Sequence, residues 1–161
     1  MSLDHQFCIV RGRPLPLSPL PTRPEGAEVR LHDDLLRYLA DTLSWIPTYP
    51  HSKAEPSSGL CMWGITRIEV DGAHVARAVF SAWADLLSLG PDDLRLTGSY
   101  VNVQSDRRAR PRGVQAISLE GGYQDVHLSR QAVVSGLRVL ATWCQEVADS
   151  GGSAYVVHFG V

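Results

Sequence analysis

The side chains able to do chemistry in this chain are three cysteines, six histidines and a few paired carboxylates. A cysteine nucleophile needs exposure and an electropositive setting to hold a thiolate. Cys144 falls in phase with Val133, Leu137, Leu140 and Val147, the apolar stripe of a helix. Cys61 lies in the apolar run LCMWGI and Cys8 in QFCIV, so all three thiols are expected to be buried and reduced. A Cys61–His158 pair is conceivable, because a terminal strand often neighbours a central one, but core packing is the preferred reading of both.

His5, His32, His51, His74, His127 and His158 never stand four apart, and none belongs to an HExxH or CxxC unit. No metal and no other cofactor is expected. Asp33-Asp34, Asp92-Asp93 and Glu120 are the candidates for acid–base work, and the aspartate pairs read as helix-start and loop residues facing water. A GxSxG elbow, a P-loop and a GxGxxG after a strand are all missing. Ser57-Ser58-Gly59 lacks the flanking glycine, and Gly121-Gly122 is too short to cradle a phosphate.

Two concentrations of binding chemistry stand out. Arg107, Arg108, Arg110 and Arg112 crowd a polar stretch and would attract a carboxylate or phosphate, although a solvated loop has the same composition. No aromatic residue accompanies them, so base stacking is not indicated. Trp45, Tyr49 and Trp63 surround a proline-containing loop that also carries His51, Lys53 and Glu55. Trp and Tyr are the side chains that interface hot spots favour. Trp63 is expected in the core, while Trp45 and Tyr49, beside Pro47 and Pro50, are harder to bury.

The elements that position these groups follow from periodicity. Residues 6–10 read as a strand, and 14–24, with prolines at 14, 16, 19, 21 and 24, as a stiff connector or a PxxP ligand. Leu35, Leu36, Leu39, Leu43 and Ile46 recur at helical spacing over 32–46, with Asp33 and Asp34 in the first turn. Residues 48–59 form a long polar loop, and 60–70 a strand whose first half is central in a sheet. Asp71-Gly72 turns the chain into a helix with Val75, Val79, Trp83 and Leu86 on one face, stopped at Gly90-Pro91. Residues 94–104 are a strand with a bulge at Gly98, and 114–119 a second strand that Gly121-Gly122 breaks. Ser129 caps the last helix, Gly151-Gly152 ends it, and 153–161 is a strand. From residue 60 onward this is β-α-β-β-α-β, so the expected fold is α+β. The expectation is a ferredoxin-like core in one sheet with both helices on one face, and an N-terminal strand and helix as an extension.

At 161 residues the chain is read as a single α+β domain, residues 1–161. A net charge of −2 does not suit nucleic acid, and no apolar run approaches the roughly 20 residues that span a bilayer. Residues 1–10 have no secretory pattern, so a cytoplasmic location is expected.

The unit Gly59-Leu60-Cys61-Met62-Trp63-Gly64, followed by strand, Asp-Gly and a Trp-bearing helix, resembles immunity proteins of bacterial polymorphic toxin systems, of the immunity protein 52 type. The likeness spans residues 46–100. It implies a non-enzymatic protein that binds and occludes a cognate toxin, in that family often a nuclease-like one, with no catalytic residue to transfer. The partner-binding residues expected are Trp45, Tyr49, His51, Lys53 and Glu55 for shape, and Arg107, Arg108, Arg110 and Arg112 for charge. The arginines depart from the very acidic immunity proteins that cover basic nucleases. The alternative is a small-molecule-binding or enzymatic domain using the open face of its sheet.

Overall fold

The computed structural model describes residues 4–14, 26–51, 55–103 and 120–161, with the backbone alone at 99–103 and 120–124. In chain order its first half holds β1 (Asp4–Arg11), β2 (Glu28–His32), α1 (Asp33–Tyr38), α2 (Ala40–Leu43), β3 (Pro47–Pro50), β4 (Ser57–Ser58) and β5 (Ile65–Ile68). The second half holds α3 (Val70–Ser88), β6 (Asp93–Val103), β7 (Glu120–Ser129), α4 (Arg130–Asp149) and β8 (Ala154–Phe159).

The protein is α+β. Six strands form an open sheet in the order β2-β1-β8-β5-β3-β4, every neighbour antiparallel. Directly opposed residues share a face, so Phe7, Val29 and His158 point the same way, as do Ile9, Val156 and Ile68. Both long helices lie against that face. Phe80 of α3 meets Phe7 edge-on, with ring centroids 6.5 Å apart at 82°. That geometry is worth about 0.5–1.5 kcal/mol beyond burial. Gly136 of α4 sits over Val29 and Leu31. Phe7, Leu35, Leu36, Phe80, Leu137 and Leu140 are fully buried between the layers.

The helices begin and end where local chemistry dictates. Ser129 accepts from Ala132 N at the start of α4, and Gly151 and Gly152 take positive φ beyond its end. The expected stripe of Val133, Leu137, Leu140, Cys144 and Val147 is buried throughout. Asp71-Gly72 is not a turn but the first turn of α3. A Cβ on Gly72 would collide with the Pro47 carbonyl, so glycine lets α3 start hard against β3. The inward face of α3 is Ala73, Ala76, Val79, Phe80, Ala84 and Leu87. Trp83 is therefore only half-buried and Leu86 is 57% exposed, one step off the face expected for them.

The single ferredoxin-like sheet does not hold. Among the described residues β6 and β7 pair only with each other, as a separate two-stranded ribbon. Edge occupancy explains it. β8 is flanked by β1 and β5, and the remaining edge of β5 is taken by β3. No edge beside β5 is left for the ribbon. β1 is thus an interior strand of the sheet, not an extension of it. The ribbon shifts register between Thr97 and Tyr100, around the expected bulge at Gly98. Gly121 and Gly122 pair inside β7 instead of breaking a strand. The expected helix over 32–46 is two short ones, interrupted at Leu39. The proposed strand over 114–119 and most of the proline segment, residues 15–24, lie outside the described residues. Among the described residues no helix is long and apolar enough to cross a membrane.

Candidate partner-binding site

The expected strand over 60–70 is shorter than its apolar composition suggests. β5 starts only at Ile65, and 61–64 form a turn closed by Gly64 N on Cys61 O at 3.3 Å. The turn's carbonyls are satisfied outside any ladder. Gly160 N donates to Gly64 O at 2.7 Å, and Val161 N to Met62 O at 3.0 Å. Thr66 Oγ1 accepts from Cys61 N at 2.9 Å. With its backbone secured, the turn presents side chains outward. Trp63 is 72% exposed and Cys61 is exposed, against the expectation that both are core residues.

Trp63 lies over the Arg37 guanidinium, 5.9 Å from ring centroid to Cζ. Next to Arg37 on α1, Tyr38 is 41% exposed and meets Trp83 edge-on at 5.8 Å. The Trp83 indole donates to Thr42 Oγ1 at 2.8 Å. Thr42 O accepts from the backbone of Trp45, whose side chain is 65% exposed. Trp63, Tyr38 and Trp45 are thus exposed on the 61–64 turn, α1 and the segment between α2 and β3, which Arg37, Trp83 and Thr42 connect.

The other expected binding residues divide. Tyr49 is half-buried, and its hydroxyl donates to Asp71 Oδ2 at 2.8 Å; that bond, then burial, raises its pKa. His51 is half-buried and its backbone N bonds Ile65 O, while Glu55 is exposed. Lys53, Arg107, Arg108, Arg110 and Arg112 lie outside the described residues. The ribbon strands flanking those arginines end at the paired residues Val103 and Glu120.

Beneath this surface is a row of polar side chains that periodicity did not reveal. Asp33 is not a solvated helix-start carboxylate but is 6% exposed. Its Oδ2 accepts from Arg37 Nε at 2.6 Å and its Oδ1 contacts His5 Nε2 at 2.9 Å. His5 Nδ1 in turn lies 2.8 Å from His158 Nε2, with the two rings stacked at 5.0 Å and 9°. Burial opposes ionisation of Asp33, but hydrogen bonds from Arg37 and His5 prevail and hold its carboxyl below the ordinary 3.8. An ionised carboxylate only accepts, so His5 donates to it from Nε2. His5 Nδ1 and His158 Nε2 share one hydrogen bond. His158 Nδ1 is fully buried and without a partner among the described residues. Burial, with His5 second, pulls His158 from 6.5 down to about 3, so the ring is neutral.

This row has the shape of a proton relay, yet it ends at no nucleophile among the described residues. Cys8 and Cys144 are pushed up to about 11 and about 12 by burial, and stay thiols. Among the described residues no cluster of His, Cys, Asp or Glu would hold a metal ion. An open groove of about 1110 Å³ follows α4, but both its arginines are paired, Arg138 with Asp85. Arg130 donates to Gly90 O at 2.6 Å and pairs with Asp92, tying α4 to the α3–β6 turn. The sequence did hold one signal for the buried row: His5 alternates with Phe7, and His158 with Val156, on inward strand positions, while Asp33 and Arg37 stand at i, i+4. What it could not supply was the pairing of strands that brings the two histidines together. No protein-family model, curated protein or solved structure matches the chain.

Proposed function

We propose that this protein is a non-catalytic binding protein of the cytoplasm that occludes a cognate protein toxin. The observation that carries the reading is the exposure of Trp63, Trp45 and Tyr38 at 72, 65 and 41% on segments whose backbones are hydrogen-bonded. Large exposed aromatics on a soluble domain mark interaction surfaces, and a rigid aromatic loses little entropy on docking. The same segments carry Asp34 and Asp41, while the charge of Arg37 is matched by Asp33. A partner with an apolar pocket rimmed by basic side chains suits that pattern. The resemblance to toxin-system immunity proteins favours the same class.

The test begins with co-purification from the native host and continues with the purified partner. Trp63→Ala and Trp45→Ala should each weaken binding by about 30-fold or more, as hot-spot truncations do. Leu89→Ala, at a site 84% exposed beyond the end of α3, serves as the control and should leave affinity unchanged. Equal affinity of all three variants and wild type would remove this surface from the interface. Turnover of a small substrate that is lost in His158→Gln would overturn the non-catalytic reading.

A further inference from the structure

We infer that Arg37 is a positioning residue for Trp63: buried Asp33 fixes the guanidinium, and the guanidinium fixes the exposed indole in the orientation in which it docks. Its value for binding rests on the role proposed for the Trp63 surface; the ordering of the indole in the free protein does not.

The backbone under Trp63 is already set. Gly64 N closes the turn on Cys61 O, and Gly160 N and Val161 N hold Gly64 O and Met62 O. What stays open is the side chain, two torsions that swing a large indole. Trp63 is so exposed that core packing does little to choose between its rotamers. The Arg37 guanidinium does choose, with Cζ 5.9 Å from the ring centroid. At an exposed site the attraction of a cation for an indole face favours the matching rotamer by about two- to fivefold.

That preference orders the indole only if the cation itself stands still, and a free arginine side chain does not. Here Arg37 Nε donates to Asp33 Oδ2 at 2.6 Å across one turn of α1. Asp33 is held in turn. Its other oxygen, Oδ1, lies 2.9 Å from Nε2 of His5, which is fully buried in β1. A buried carboxylate with both oxygens engaged is a fixed acceptor. The guanidinium can serve it through Nε and still present its plane to the ring, whereas a lysine has one nitrogen for both tasks. Trp45 supplies the contrast. It is less exposed than Trp63, yet among the described residues its ring meets no cation and no other ring.

The experiment reads the free protein first. Nitrogen-15 relaxation of the indole N–H groups yields an order parameter for each tryptophan, the signals being assigned with Trp→Phe variants. Trp63, although the more exposed, should be stiffer than Trp45, at about 0.8 against about 0.6 or less. Arg37→Gln and Arg37→Lys should each bring Trp63 down to the range of Trp45. The lysine variant keeps a counter-charge for Asp33, so it tests the inference even where the glutamine variant fails to fold. Trp83, whose indole N–H is held by Thr42 Oγ1, should stay unchanged and reports an intact fold. A wild-type Trp63 as mobile as Trp45, or a Trp63 as stiff in the variants as in wild type, would overturn the inference. With the purified partner, Arg37→Gln should weaken binding by about two- to fivefold in the wild-type background and not at all beside Trp63→Ala, because a positioning residue acts through the one it positions. An equal loss in both backgrounds would refute the positioning role. Partner binding that ignores Trp63→Ala would remove the interface reading and leave the ordering of the indole standing.

Discussion

Acid should destabilise this protein through His158 well before its carboxylates protonate. The folded ring is pulled from 6.5 to about 3, chiefly by burial and then by His5. Unfolded, it binds a proton at the ordinary value. Between those two values the unfolded chain holds more protons than the folded one, so stability falls as pH falls. One pH unit of such difference is worth about 1.4 kcal/mol, which gives a loss of about 2 kcal/mol near pH 5 and about 3 kcal/mol near pH 4 relative to neutral pH. Asp33 acts lower down: its contribution is present above 3.8 and is lost only as pH drops through its depressed folded value. Glu69 runs the other way. Burial, with help from Asp71, lifts its pKa, so acidification through its window favours the fold. Subtraction removes both. His158→Gln keeps an N–H for His5 Nδ1 and has no ring to titrate. Urea unfolding of wild type and variant at several pH values yields the difference curve. Wild type should be the steeper by the amounts above. Parallel curves within about 0.5 kcal/mol from near pH 7 to near pH 4 would show that His158 is not kept neutral by the fold.

Gly72→Ala puts a methyl against the Pro47 carbonyl, and the overpacking should cost about 1–3 kcal/mol in a urea melt; a change below about 0.5 kcal/mol would mean α3 does not start against β3. Leu137→Ala, fully buried in α4, should cost about 2–5 kcal/mol, whereas Leu86→Ala at 57% exposure should stay within about 0.5 kcal/mol. Equal losses would mean that the inward face of α3 is misassigned. A thiol-specific reagent should label Cys61 in the native protein and spare Cys8 and Cys144, whose thiols burial pushes up to about 11 and about 12. Labelling of all three at one rate would contradict the packing of β1 and α4. Trp83→Phe removes the hydrogen bond to Thr42 and should cost about 1 kcal/mol, read by the same melt.

Local chemistry was legible in the residues alone. The stripe of α4, the serine that caps it, the glycines that end it and the bulge near Gly98 each depend on neighbours a few positions away, and each is where spacing put it. The exposure of Trp45 was left open by its proline neighbours, and the structure turns it outward. The failures share one cause, which is long-range partnership. Composition made LCMWGI a strand, but the backbone of Gly160 and Val161 satisfies a turn there and frees Trp63 for the surface. Element order suggested one sheet, but β3 took the edge of β5 beside which a ferredoxin-like core would have placed the ribbon. Asp33 looked like a solvated helix start, because nothing within a helical turn reveals a histidine 28 residues earlier in the chain. A side chain's periodicity says which face it occupies. Which side chains it meets on that face is decided by strand pairing, and here pairing sets two histidines 153 residues apart against each other in the core.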